Sequence, residues 1–514
     1  MIIKINLKNI VEFGQKRVLS LIFGVLISTS VVFFLHYLNN GLGLSYNDAR
    51  SHLDIGRRVV EGLSPGMAQL GSVWLPLPHI LMIPTVWNDW FWHSGLSGSI
   101  QSMLAFVATG LVIYKILELF KVPLFERIIG VGLWIANVNI LYLQSTAMTE
   151  LLLMGTMTIA VYYLLKWLDQ DRVVDLVKLS AWVMFSTLIR YDGWFLFLFC
   201  GLIVGLSTLI RRGYKTSEGT IILFSTLAAA GIIGWFLWNQ LIFKDALYFV
   251  LGPYSAHAQQ AQLASAGVLA TKGNLLLSLK IYLYAFFYNT YTITALLAAI
   301  GFFSFILDKK IKNILKIGSL ALLVPFVFNV VALYFGHSVL YLQGIIGGTW
   351  FNVRYGILMA PAVAIFVTYL ISRLNHIKWV IIGLLAMVIF FAFSSNDAVT
   401  IDDATVGSSQ KNVTEVSGWL RDNATLQDGF VLISAASHDA IIFSSGLPMG
   451  RFIHEGTGAY WIQATTMPDR WARWIIMRTY DNNDSTWRLV SQTEGFKMYE
   501  KIKSYPFADI YQLK

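Results

Sequence analysis

Carboxylates and arginines stand beside long apolar runs of this chain, in segments that can lie next to one another. The segment YNDARSHLDIGRR follows the first apolar run and carries Asp48, Arg57 and Arg58, and STAMTE ends in Glu150 where a later run begins. A carboxylate can take a proton from a hydroxyl group, and an arginine binds a phosphate through two parallel hydrogen bonds. These residue types suit the transfer of a group from a phosphate to a hydroxyl acceptor.

Two more segments combine charge with apolar flanks. TLIRYDGW is a tight turn that holds Arg190 and Asp192, and FNVRYG places Arg354 and Tyr355 at the start of another apolar run. An ionisable group at membrane depth indicates a functional site. Simpler roles stay open, because an Arg–Asp pair can fix a turn, Glu150 can cap a helix, and Arg354 can anchor a span at the interface.

Other chemistries have little support in the sequence. The single cysteine, Cys200, excludes disulfides and cysteine-based zinc sites within one chain. No phosphate-binding glycine loop follows a strand, and a lone histidine such as His257 is more often structural than catalytic. We therefore expect no metal ion and no separate cofactor.

The composition shows what must position these residues. The chain has 514 residues, of which 56% are hydrophobic and 13% are charged, whereas soluble domains carry about 25% charged residues. A span needs about 20 apolar residues, which predicts an all-α polytopic membrane domain of eleven spans: 18–39, 97–120, 127–144, 147–168, 173–189, 193–210, 219–243, 281–307, 314–335, 354–372 and 378–396. The proline-containing stretch 75–92 is predicted to be re-entrant or interfacial.

The positive charges predict the orientation. The net charge is +9, and basic residues concentrate in the loops that share a side with the N-terminus, as in 211–215 and 309–316. Such loops face the cytoplasm, so we expect a cytoplasmic N-terminus, a plasma-membrane location and an outer face that holds all the candidate residues. Scattered basic residues do not form the single face that nucleic-acid binding requires.

The composition of the sequence changes near residue 400, where the apolar runs become shorter and charged residues return. Residues 1–398 form the predicted membrane domain, with 40–96 as a long first outer loop containing interfacial helices. Residues 399–514 are predicted to form a small extracytoplasmic α/β domain, with buried strands at 429–434 and 473–478. About 110 residues are enough for a separate core.

At this point the layout resembles the GT-C superfamily of membrane glycosyltransferases, and more narrowly the protein O-mannosyltransferases and lipid A aminoarabinose transferases. The resemblance covers about residues 15–375. Asp48 matches that family's essential acid in the first outer loop, Glu150 matches a second acid, and Arg190 matches a basic residue of the lipid-phosphate site. Arg354 with Tyr355 matches an RY pair. The family's double acid appears here as Asn47–Asp48, which argues against a metal role.

The resemblance implies a single inverting displacement without a metal. The donor would be a sugar linked to a polyprenyl or dolichyl phosphate, and the acceptor a protein, a lipid or a cell-wall glycan. Asp48 would be the general base and Glu150 would orient the sugar. The remaining substrate-binding candidates would hold the phosphate and the sugar: Arg57, Arg58, Arg190, Asp192, His257, Arg354 and Tyr355.

Two other functions remain open. A flippase or transporter of lipid-linked sugars would show ionisable residues near mid-span and two related halves, and neither is evident in the sequence. An oligosaccharide ligase would need several carboxylates around a metal ion. A non-catalytic scaffold would not need arginines and carboxylates at several outer positions.

Overall fold

A computed structural model of the chain describes residues 7–252, 255, 257, 258, 260, 267, 269–396, 398–407 and 412–514. The helices of the membrane part are α1 Leu7–Asn39, α2 Asn47–Val60, α3 Leu77–Val86, α4 Asp89–His93, α5 Leu96–Leu119, α6 Leu124–Ile135, α7 Val138–Leu143, α8 Glu150–Gln170, α9 Val173–Thr187, α10 Asp192–Arg212, α11 Tyr214–Ala228, α12 Ala230–Phe243, α13 Tyr248–Leu251, α14 Leu275–Thr290, α15 Thr292–Leu307, α16 Asn313–Ser319, α17 Val324–Phe335, α18 Ala360–Arg373 and α19 Ile377–Ser394. A hairpin, β1 Tyr341–Leu342 and β2 Ile346–Phe351, precedes a 3₁₀ segment at Val353–Met359.

The rest of the chain forms a mixed region of short helices and strands. Its helices are α20 Val399–Thr405, α21 Thr414–Trp419, α22 Ala435–Ser445, α23 Ala459–Thr466 and α24 Ser485–Val490. Its strands are β3 Phe430–Ile433, β4 Phe452–Ile453, β5 Ala472–Met477, β6 Tyr499–Ser504 and β7 Asp509–Leu513.

Long apolar helices confirm the predicted polytopic membrane domain. Among the described residues, seven helices are long and apolar enough to cross a membrane, or up to nine if each of two bent pairs is one span. Two of the eleven predicted spans are shorter. Segment 127–144 divides into α6 and α7, because Asn137 leaves the helical conformation and its side chain accepts a hydrogen bond from the Ile140 N–H. Segment 173–189 forms α9, which has 15 residues.

Two predicted spans are bent. Helices α11 and α12 meet at 45°, and α14 and α15 meet at 108°. At the second bend Tyr291 has a φ of 62°, in the left-handed region, which a right-handed helix cannot continue through. The stretch 75–92 forms the short helices α3 and α4, and exposes Trp87 and Trp90 as an interfacial segment would.

Among its described residues, the C-terminal region contains one five-stranded sheet with the order β4-β3-β5-β7-β6. Strand β3 is parallel to β4 and β5, while β7 is antiparallel to β5 and β6. The runs FVLI and ARWIIM form the buried strands β3 and β5 because β-branched and aromatic side chains suit a pleated surface. The predicted small α/β domain is confirmed in its class.

The C-terminal sheet region packs on the loop 40–96 that follows α1. The Gln69 side-chain amide donates to the carbonyl oxygens of Ser64 and Gly456, both at 2.7 Å. The Met449 N–H donates to Glu61 Oε1 at 2.8 Å. These contacts fix the C-terminal end of α2 against the sheet region, and α2 carries Asp48 at its other end.

Helix α20 lies at the junction of the two parts. The sequence places residues 399–405 at the start of the outer domain. In the structure this helix packs against α7 and the 353–359 segment, both from the membrane part. It thereby brings residues that follow the last span to the same ends of the membrane helices as this 353–359 segment.

Candidate active site

Asp48 lies in the first turn of α2, just after the first span. A carboxylate is favoured there by the partial positive charge of a helix N-terminus. Its side chain is 34% exposed, and its Oδ2 accepts a hydrogen bond from Arg354 Nη2 at 2.6 Å. Arg354 therefore fixes the position of the Asp48 carboxylate, while part of the side chain stays accessible to solvent. A group that accepts a proton from a substrate needs both properties.

Glu150 is the first residue of α8 and is fully buried. Its Oε1 lies 3.0 Å from Arg354 Nε and 3.3 Å from Arg190 Nη1. One carboxylate oxygen therefore joins two arginines from distant segments. Because breaking a buried ion pair is costly, Glu150 fixes the spacing of the two guanidinium groups.

Arg190 lies in the turn between α9 and α10, which the sequence predicted as a functional turn. Its Nε is 3.3 Å from Oδ2 of Asp192, the first residue of α10. The guanidinium stacks on the Tyr355 ring, 4.6 Å from the ring centre. The side chain is 19% exposed, so Arg190 is the more accessible of the two arginines.

Arg354 is the centre of the cluster. It is the second residue of the 3₁₀ segment that begins after Asn352, which has a φ of 56°, and that leads the chain from β2 into α18. Its side chain is 3% exposed, and each of its three nitrogens lies within 3.5 Å of a different carboxylate: Asp48, Glu150 and Asp403. The guanidinium also lies over the rings of Tyr46 and Tyr355.

Asp403 and Tyr46 belong to the cluster but were not predicted. Asp403 is fully buried in α20, and its Oδ2 accepts a hydrogen bond from the Tyr46 hydroxyl at 3.1 Å. The available signal was the pair Asp402–Asp403 directly after the last apolar run. The end of that run also predicts a domain boundary, so the sequence does not indicate a contact between Asp403 and Arg354.

Four carboxylates and two guanidinium groups give this cluster a negative formal charge. The carboxylates are Asp48, Glu150, Asp192 and Asp403, and the guanidinium groups are Arg190 and Arg354.

His52 lies one turn after Asp48 on α2. Burial, with Arg354 and Arg190 nearby, lowers the pKa of His52 to about 3, so it is neutral at physiological pH. Its Nδ1 is 2.8 Å from His79 Nε2, and its ring lies 4.3 Å from that of Trp74. The helical period thus places a neutral imidazole beside the base candidate.

Three predicted site residues lie apart from this cluster. Arg57 pairs with Glu61 and Asp89, and it also donates to the carbonyl oxygens of Val86 and Trp87. These contacts tie α2 to the interfacial helices. Arg58 donates to the Asp54 carbonyl oxygen at 3.3 Å and is partly buried.

His257 is exposed, and the described part of the chain shows no hydrogen bond or ion pair between it and the carboxylate cluster. Among the described residues, no group of three or more His, Cys, Asp or Glu side chains is placed to hold a metal ion. The metal-free site stays a prediction.

Solved structures share this fold. The chain is similar to ArnT from Cupriavidus metallidurans bound to undecaprenyl phosphate, with 10% identity, a TM-score of 0.57, and coverage of 94% of this chain and 97% of that one. The apo state of the same ArnT gives a TM-score of 0.53 at the same identity and coverage. The oligosaccharyltransferase from Archaeoglobus fulgidus in the apo form gives 0.51 at 10% identity, covering 90% of this chain and 69% of that one.

These likenesses confirm the predicted fold class, a polytopic helical membrane domain with a small α/β domain at the C-terminus. No protein-family model matches the sequence, and no curated protein matches it. What the site does must therefore be argued from its own geometry.

Proposed function

We propose that the chain is a membrane glycosyltransferase that moves a sugar from a polyprenyl-phosphate donor to an acceptor hydroxyl at the outer face of the plasma membrane. The observation that carries this proposal is the partly exposed Asp48 carboxylate, bound through Arg354 to the buried Glu150. The fold is that of a transferase solved with undecaprenyl phosphate, which supports a lipid phosphate as the leaving group.

The reaction is a single displacement with inversion and without a metal. The acceptor oxygen forms a bond to the anomeric carbon as the bond from that carbon to the phosphate oxygen breaks. Asp48 takes the proton of the acceptor hydroxyl. The lipid phosphate departs with the electron pair of the broken bond, and its negative charge is stabilised by Arg190.

Arg190 is the residue to which we assign the lipid phosphate. It is 19% exposed, whereas Arg354 is 3% exposed and already surrounded by three carboxylates. An arginine enclosed in this way is better suited to orienting Asp48 and Glu150 than to binding an incoming anion. Stacking on Tyr355 holds the plane of Arg190 in place, as a bidentate contact to phosphate requires.

A transfer assay tests this function. Purified protein in nanodiscs receives radiolabelled polyprenyl-phosphate sugars, with native membrane extract as acceptor. Wild type should transfer label, and Asp48→Asn should lower the rate by about 10²–10⁴-fold, as loss of a general base does, while it still folds.

Asp422→Asn is the matched control, because it changes an aspartate that is 75% exposed in the outer domain. Full transfer activity in the Asp48→Asn variant would show that Asp48 is not the general base. Lipid scrambling without transfer from any donor would favour the flippase, and transfer of a whole glycan would favour the ligase.

A further inference from the structure

The segment QLGSVWLPLPH, residues 69–79, carries a tryptophan that is not part of the apolar core. Leu75 and Leu77 pack in hydrophobic clusters, whereas Trp74 belongs to none of the clusters formed by the described residues. Its indole lies instead on two buried imidazoles, with ring centres 4.3 Å from His52 and 6.4 Å from His79. The side chain is only partly buried, and an aromatic ring of this kind suits the wall of a ligand site.

The two histidines hold the plane of the indole from one side. His52 Nδ1 lies 2.8 Å from His79 Nε2, so the rings form a hydrogen-bonded pair. Burial is the largest cause that lowers the pKa of both histidines, that of His52 to about 3, so the pair is uncharged and free of mutual repulsion. The two ring centres are 5.0 Å apart. Both imidazoles therefore lie on the same side of the Trp74 ring and leave its other face uncovered.

The segment around Trp74 is joined to both ends of the reaction centre. On one side, the Leu77 N–H donates to the Leu188 carbonyl oxygen at 3.1 Å, two residues before Arg190. On the other side, the indole lies on His52, which follows the base candidate by one turn of α2. Arg190 is close enough to His52 to lower its pKa. The indole therefore borders the space between the guanidinium assigned to the lipid phosphate and the carboxylate assigned to the acceptor.

We propose that Trp74 binds the transferred sugar, an uncharged pyranose, by stacking against the apolar face of its ring. This inference rests on the proposed function, in which the anomeric carbon lies between the acceptor oxygen and the phosphate oxygen. The negative face of an aromatic ring attracts the partly positive C–H groups of a pyranose. Arg354 is held by three carboxylates and Arg190 is assigned to the phosphate. Neither guanidinium of the cluster is therefore left for a sugar carboxylate, which favours an uncharged sugar over a uronic acid.

The test measures donor binding by the full chain in nanodiscs, without an acceptor. The probes are undecaprenyl phosphate and the same lipid phosphate carrying mannose or glucose. Wild type should bind at least one of the sugar-bearing lipids more tightly than undecaprenyl phosphate. Trp74→Ala should weaken that binding about tenfold, as loss of an aromatic contact does. Binding of undecaprenyl phosphate should stay within about twofold, because its contact to Arg190 is retained.

Transfer kinetics give a second measurement. The stacking contact is present both in the bound donor and in the transition state, so Trp74→Ala should raise KM for the donor about tenfold and leave kcat within about threefold. A purely structural role of Trp74 would instead lower kcat and thermal stability together.

Two further variants separate the aromatic face from the size of the side chain, and they replace the Ala variant if it does not fold. Trp74→Phe keeps an aromatic face and should retain donor affinity within about threefold. Trp74→Leu is apolar without such a face and should lose the affinity that the Ala variant loses. Trp87→Ala is the matched control, because Trp87 lies in the same loop and is 63% exposed. Its donor binding should equal that of wild type.

The proposal would be overturned if Trp74→Leu bound the sugar-bearing lipid as tightly as wild type, or if Trp74→Phe lost as much affinity as Trp74→Leu. An equal loss for the sugar-bearing and the sugar-free lipid would also overturn it, because the phosphate site would then be affected. The same holds if wild type gains no affinity from either sugar. Absence of transfer by wild type from any donor would instead refute the proposed function itself.

Discussion

Arg354→Lys is the most direct test of how the cluster is held together. Arg354 reaches three carboxylates with three nitrogens, at 2.6 Å to Asp48, 3.0 Å to Glu150 and 3.5 Å to Asp403. Lysine keeps the positive charge but has one ammonium group on a flexible stem, so it cannot reproduce a planar fork. At least one of the three carboxylates must lose its contact with this cation.

The structure sets the size of the effect. Breaking a buried ion pair destabilises a protein by about 3–5 kcal/mol. Because lysine keeps the positive charge, we expect the destabilisation by Arg354→Lys to lie at the lower end of this range, about 3 kcal/mol. If the same loss is felt in the transition state, kcat should fall about 100-fold, since each 1.36 kcal/mol is a factor of ten. The temperature of half-inactivation should fall by several degrees.

The assay measures transfer and thermal inactivation of the same nanodisc preparations. Arg421→Lys is the control, because Arg421 is 62% exposed and its nearest contact to Asp422 is 3.8 Å, a pair that contributes little. If Arg354→Lys stays within twofold of wild type in rate and unchanged in thermal stability, Arg354 does not organise the three carboxylates.

Two predictions concern the loop 40–96 and its interface with the C-terminal sheet region. Arg57→Gln should lower thermal stability, because it breaks the pairs with Glu61 and Asp89, yet leave KM for the lipid donor within about twofold; a KM increase of ten-fold or more would return Arg57 to the donor site. Burial, with nearby arginines, lowers the pKa of both His52 and His454 to about 3. Between about pH 6.5 and 3 the unfolded chain then binds more protons than the folded one, so thermal stability should fall as pH falls through that window. A stability that stays flat from pH 7.5 to 5 would contradict the neutral state of these histidines.

The meeting of Asp48, Glu150, Arg190 and Arg354 follows from the sequence to a large extent. Each stands at the end of an apolar run, and alternation of the runs places all four on one side of the membrane. Which atoms pair could not be read from the runs, because the contacts join segments up to 306 residues apart.

Asp403 and the bend at Tyr291 show why other features were missed. Helix α20 has seven residues and is positioned by Asn139, which lies 261 residues before Thr400, so no local pattern indicates its place. Residues 281–300 around Tyr291 are mostly apolar and aromatic and contain no proline or glycine. Hydropathy therefore predicts one straight span, although the backbone turns there by 108°.

The distance along the chain between the partners in the cluster has a consequence for biosynthesis. Asp48 emerges from the ribosome 306 residues before Arg354, and Tyr46 emerges 357 residues before Asp403. The early carboxylates are therefore synthesised before Arg354, and the centre can close only after the last span and α20 have been made and inserted. A chain whose synthesis stops earlier, or whose first span inserts the wrong way round, lacks a complete centre. If the proposed function holds, such a chain would transfer no sugar during its own assembly.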